Sequence, residues 1–139
     1  MVAHGTIAFD TLTTSDQVNT GTEKSIDTSY IFNGVAKSWI HKSRDGSSID
    51  DSFNVASMAD TATGIFTVVF TNNHSSINYA LTSAVIPEDN TTVVGVCEIN
   101  READVAVSGY RAETAYANSS NNKTDYDYMA CVTTHGDLA

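Results

Sequence analysis

The chain has 139 residues, a length that suits one domain with a core of its own. Its net charge of −10 and sequence pI of about 4.4, with seven Lys and Arg residues scattered along it, exclude a nucleic-acid partner. No run of 18 apolar residues exists, which excludes a spanning helix and membrane insertion.

The hydrophobic share of 41% and the charged share of 17% are both low, so Ser, Thr and Asn supply the polarity, as in many β-rich surface proteins. The acidity reads as solubility and colloidal stability. The first ten residues carry neither a basic n-region nor an apolar h-region, so no signal peptide and synthesis in a cytoplasm are expected. In that reducing compartment Cys97 and Cys131, both in apolar strand-like runs, are expected as buried thiols. The four Asn-x-Ser/Thr sites carry no meaning without a secretory route.

Residues 1–29 read as an N-terminal arm. His4 to Leu12 has a short strand-like centre, and Thr13 to Ser29 holds only Val18 and Ile26 as apolar residues. Such a segment cannot pack alone and becomes ordered on a neighbouring surface. Residues 30–139 read as the folded domain. A first strand is expected from Tyr30 to His41, with Val35, Lys37, Trp39 and His41 on one side and Ala36, Ser38 and Ile40 on the other. Asp45-Gly46 is a hairpin signal, and Ile49 to Met58 returns as a second strand.

Asp60 to Thr63 reads as a turn before the most decisive strand, Gly64-Ile-Phe-Thr-Val-Val-Phe. Ile65, Thr67 and Val69 face one way and Phe66, Val68 and Phe70 the other, all β-branched or aromatic. A strand apolar on both faces is central in its sheet or sandwiched between layers. Ile77 to Ile86 and Thr91 to Ile99 follow as strands, with Gly95 marking a bulge or a close approach. Ala103 to Val107 is a short strand. Tyr110 to Ala117 fits a strand or a helical turn; strand is preferred, because nothing caps a helix there. Asp125 to Thr134 closes the chain, with Tyr126 and Tyr128 on one strand face. About six to eight short strands with regular turn signals indicate an all-β fold, an antiparallel β-sandwich or barrel.

Motifs for chemistry are sparse. His4, His41, His74 and His135 lie far apart and no Cys-x-x-Cys or His-x-x-x-His spacing occurs, so neither metal nor cofactor is expected. The Asp45-Gly-Ser-Ser-Ile-Asp-Asp loop lacks the order of a calcium loop and reads as a hairpin turn. A nucleophile at Cys97 with His41 or His135 as base is the least favoured reading. Tyrosines stack on sugar faces when exposed and fill the core when buried; core is the commoner use.

At Val35-Ala-Lys-Ser-Trp-Ile-His-Lys, then Asp51-Ser-Phe-Asn-Val-Ala-Ser, then Gly64-Ile-Phe-Thr-Val-Val-Phe, then Asn78-Tyr-Ala-Leu and the terminal His135-Gly-Asp, the chain resembles a known family. It is similar to small virion structural and tail-fibre-like β-domain proteins of tailed, often marine, bacteriophages. That resemblance covers roughly residues 34–84 and the end. Lys37-Ser38-Trp39-Ile40 carries Ser38 where the family has Ala, Phe66 stands for Tyr, and His135 stands for an apolar residue. It implies a non-enzymatic protein of the virion with a jelly-roll-like sandwich. The expected roles are a capsid decoration, cement or knob protein, or a tail-fibre module that recognises host surface glycan. It also implies a homotrimer, held to itself and to capsid or tail proteins through the arm. Ile7, Phe9 and Leu12 are the expected anchors of that contact, and Tyr110, Tyr116, Tyr126 and Tyr128 the candidate glycan contacts.

Overall fold

The structure, a computed structural model, describes residues 11–13, 25–87, 94–99 and 101–139. Its contacts divide the chain into two units, Met1–Val35 and Ala36–Ala139. In the first, strand β1 (Thr11–Thr13) pairs antiparallel with β2 (Ser25–Asp27), Leu12 opposite Ile26. Helix α1 (Thr28–Gly34) follows directly. Ile7 and Phe9 lie outside the described residues, as does the side chain of Leu12.

Helix α1 corrects the strand expected from Tyr30. Asp27 caps the helix, its Oδ1 accepting from the Ser29 amide at 2.8 Å. Asn33 Nδ2 donates to the Ser29 carbonyl at 2.9 Å, and the Val35 amide closes the last turn on Ile31 at 3.1 Å. These local bonds override the β preference of Tyr30, Ile31 and Phe32, and the strand begins at Ala36.

The second unit is an all-β antiparallel sandwich. Its strands are β3 (Ala36–Lys42), β4 (Ile49–Phe53), β5 (Val55–Ala62), β6 (Ile65–Phe70), β7 (Ala80–Ile86), β8 (Gly95–Glu98), β9 (Val105–Ala106), β10 (Gly109–Ala117), β11 (Lys123–Asp125) and β12 (Met129–His135). A single 3-10 turn, Glu102–Asp104, leads into β9. One sheet has the order β4-β3-β12-β7. The other is built around β10. Glu113 pairs with Ile65 on one side and Glu98 on the other, and Ala115 with Asp125 and Val96. So β6 and β11 share one edge of β10 in succession, while β9 and β8 share the opposite edge. β5 lies outside β6.

The expected strand from Ile49 to Met58 is two strands in two sheets. Asn54, at φ 56°, bends the chain out of the β3 pairing into the β6 pairing. Its side chain pins the corner: Nδ2 donates to the carbonyls of Lys37 (2.9 Å) and Asn72 (3.0 Å), and Oδ1 accepts from the Asn72 amide at 2.7 Å. The turn expected at Asp60 to Thr63 also moves, because β5 runs on to Ala62 and Thr63-Gly64 alone reverses the chain. Gly64 has φ 72°, and a Cβ there would press on the Thr114 carbonyl and the Tyr126 amide. The Asp45-Gly46 hairpin is present as expected, with Gly46 at φ 71°. Asp45 Oδ1 accepts from Ser43 Oγ (2.7 Å) and the Ser47 amide (3.1 Å), which brings the Asp45 carboxyl down to about 2. The carboxylate therefore serves its own turn.

β6 sits between β5 and β10, the central place its composition predicts. Phe66, Val68 and Phe70 are buried and meet Tyr110 and Ala112 of β10, with Ile40, Ala130 and Val132 of the facing sheet. Burying each large side chain is worth about 1.5–3 kcal/mol as an upper estimate. The opposite face of β6 is wetter, with Val69 exposed. Gly95 is a close approach, as expected: a Cβ would lie 2.7 Å from Val85 and 3.2 Å from Tyr128. β10 confirms the strand reading of Tyr110 to Ala117.

Candidate functional site

Three tyrosines gather where β10 ends and β11 leads into β12. Tyr116 lies on β10, and Tyr126 and Tyr128 lie in the connector between the two strands, not on a strand as expected. Tyr126 is the hub, 5.8 Å from Tyr116 at 82° and 4.9 Å from Tyr128 at 53°. Both are geometries that aromatic quadrupoles favour. Tyr126 is 44% exposed, Tyr116 is half-buried, and Tyr128 is buried against Gly95. Burial, then Tyr126 and Tyr116, push the Tyr128 hydroxyl up.

Backbone bonds hold the connector. The Tyr126 amide donates to the Thr114 carbonyl at 2.9 Å, and Thr114 Oγ1 donates to the Tyr126 carbonyl at 2.7 Å. Thr114 also donates its amide to Gly64 at 2.6 Å, and the Gly64 amide donates to Asp127 Oδ1 at 2.6 Å. From β3, the strand beside β12, Lys42 Nζ donates to the carbonyls of Tyr128 (3.0 Å) and Ser43 (3.0 Å). Lys42 is 1% exposed and lies 5.4 Å from the Phe66 ring centroid. Burial lowers its pKa, opposed by Asp127, Asp60, Cys97 and Asp45. The result is a hydrogen-bonded connector on which the Tyr126 ring, in contact with Tyr116 and Tyr128, stays 44% exposed.

Tyr110 does not belong to this group. It is 3% exposed and packs 5.8 Å from Phe70 in the core, where burial pushes its hydroxyl far up. Its ring has no face for a sugar, which corrects its listing among glycan contacts. The structure thus brings together Tyr116, Tyr126 and Tyr128 and leaves Tyr110 out.

The least favoured nucleophile fares poorly. Cys97 and Cys131 are free thiols, both half-buried. Burial pushes Cys97 up to about 11, so it stays a neutral thiol at pH 7 and a poor nucleophile. His41 Nδ1 lies 3.4 Å from Asp50. Among the described residues no group of three or more His, Cys, Asp or Glu is placed to hold a metal ion, and no helix is long and apolar enough to cross a membrane.

Two buried polar clusters have no motif in the sequence to mark them. His74 is 1% exposed, stacks on Tyr79 at 4.2 Å and shares a 3.0 Å hydrogen bond with Thr134 Oγ1, which in turn bonds Ser38 Oγ at 2.6 Å. Glu113, on the outer face of β10, is ion-paired to Lys123 and lies 3.6 Å from Arg111, which also reaches Asp104 at 3.3 Å. Ser38, Ile40 and Lys42 share one face of β3 by alternation, and that was the signal available for Lys42.

No family model, curated protein or solved structure matches this chain.

Proposed function

We propose that this chain is a non-enzymatic structural protein of a bacteriophage virion, of the capsid decoration, cement or knob kind, which assembles symmetrically and docks through its N-terminal unit. One observation carries the docking. Helix α1 has seven residues and buries none of them, and it leaves Tyr30 at 70% exposure, with Ile26 and Val35 exposed beside it. A helix this short is marginal in water and owes its stability to packing. Aromatic residues are also the side chains most enriched at interface centres. We read the exposed Tyr30 ring as the contact to another chain: a capsid or tail protein, or a neighbouring copy. The resemblance of the β3, β6 and terminal motifs to phage virion proteins supplies the particle. The test is the Tyr30→Ser protein supplied during phage growth. It should fold normally and be lost from purified particles; normal incorporation would overturn this docking.

A second reading rests on Tyr126. An exposed ring backed by Tyr116 and Tyr128 on a fixed connector suits stacking on a sugar face, as in a tail-fibre receptor-binding module. A glycan array without hits, or Tyr126→Ala particles that adsorb to host cells normally, would remove it.

A further inference from the structure

Among the described residues β7 pairs on one side only, with β12; we infer that its other edge is an interface strand, and that its occupant is β7 of a second copy of this chain, paired antiparallel about Ser83. The inference goes beyond the docking of the N-terminal unit and does not depend on it. Sheets protect their open edges with charges, bulges and short strands. β4 carries Asp50 and Asp51, and its register against β3 shifts between His41 and Lys42. β5 carries Asp60, and its register against β6 shifts twice. β11 has three residues. β7 has none of these devices. Ala-Leu-Thr-Ser-Ala-Val-Ile runs in unbroken register along β12, from Ile86 opposite Met129 to Ala80 opposite His135. It holds no charge, no Gly and no Pro, and Ala80, Thr82, Ser83, Ala84 and Ile86 are exposed. An uncharged seven-residue strand with one unpaired edge is a template for another strand.

Its inner side is already engaged: Ser83 Oγ donates to the Cys97 carbonyl at 2.6 Å and Val85 meets Gly95. β8 lies close to β7 on this inner side, but among the described residues no strand other than β12 pairs with β7, and Ala80, Thr82, Ala84 and Ile86 of its outer face are exposed. Two features select a second copy as occupant. The chain carries −10, so copies repel one another wherever acidic edges meet; β4 against β4 or β5 against β5 would oppose Asp to Asp, and β7 against β7 opposes none. The strand is also self-complementary when reversed about Ser83. Ala80 meets Ile86, Leu81 meets Val85 and Thr82 meets Ala84. The inner residues Leu81, Ser83 and Val85 stay on the inner side, so two four-stranded sheets join into one through a two-fold axis.

The register makes the test specific, because residue 82 of one copy faces residue 84 of the other. Sedimentation of the full chain should give an even-numbered oligomer. Thr82→Lys/Ala84→Lys places lysines opposite lysines and should halve the mass; Thr82→Lys/Ala84→Glu places each lysine opposite a glutamate and should restore it. Hydrogen exchange on the native protein needs no variant: amides of residues 80–86 should slow as concentration rises. A monomeric or trimeric native protein, an unchanged mass in the double-lysine variant, or fast β7 exchange at every concentration would overturn the inference. Particle incorporation is read separately, so the virion proposal stands or falls independently.

Discussion

Lys42 Nζ donates to the carbonyl of Tyr128 at 3.0 Å, and so ties β3 to the connector that holds Tyr126 in place. A buried ammonium is costly unless its donors are used, and here the carbonyls of Ser43 and Tyr128 use them. Lys42→Met keeps the packed stem and removes the donor. We expect a loss of about 1–3 kcal/mol, the cost of leaving such acceptors unpaired, read as a lower urea midpoint with an unchanged slope. An unchanged midpoint would show that the cage contributes nothing.

The two faces of β6 differ in burial, so their substitutions should differ in cost. Phe66, fully buried, should lose about 3–5 kcal/mol as Phe66→Ala. Val69, 41% exposed on the other face, should lose under about 1 kcal/mol as Val69→Ala. Equal losses in denaturant unfolding would contradict the placement of the core.

Asn54 combines a left-handed backbone with four side-chain hydrogen bonds to Lys37 and Asn72. Asn54→Gly keeps the backbone and loses the bonds; Asn54→Ala loses both. Thermal unfolding should rank the alanine variant below the glycine variant by about 1 kcal/mol, the cost of a Cβ in that region. The reverse order would deny that this residue turns the chain between sheets.

Much of the sandwich was legible before any coordinates, because alternation reports burial directly. The Phe66, Val68 and Phe70 face emerges from it, while the Asp45-Gly46 hairpin, the Gly95 approach and the strand at Tyr110 follow from turn chemistry, a glycine within a strand and the lack of a helix cap. Alternation could not reveal Asn54, since the pattern runs on through the corner while the pairing partner changes from β3 to β6. Nor could it separate Tyr110 from Tyr116. The two are six residues apart on one strand and share a face, yet Tyr110 lies over Phe70 in the core and Tyr116 lies near the strand's end beside Tyr126. Helix α1 was hidden because Tyr30, Ile31 and Phe32 favour strands, and the local bonds made by Asp27, Asn33 and Val35 decide otherwise.

His74 should make the fold sensitive to mild acid. Burial lowers its pKa below the ordinary 6.5, with Lys37 acting in the same direction and the Asp137 backbone opposing. The unfolded chain takes up a proton at about 6.5 that the native chain refuses, so stability falls as pH drops below that value toward the native pKa. The slope for one proton is at most about 1.4 kcal/mol per pH unit. Unfolding free energies measured between pH 7.5 and 5 should decline, and His74→Gln should flatten that decline. An equally steep decline in His74→Gln would assign it to other groups.

The central claim is that this chain is a structural part of a virion. Quantitative mass spectrometry of purified phage particles, grown from a genome that carries the gene for this chain, tests this most directly. The account predicts the chain at many copies per particle, in constant proportion to the major capsid or tail proteins across preparations. Particles that are infectious and free of the chain would contradict it.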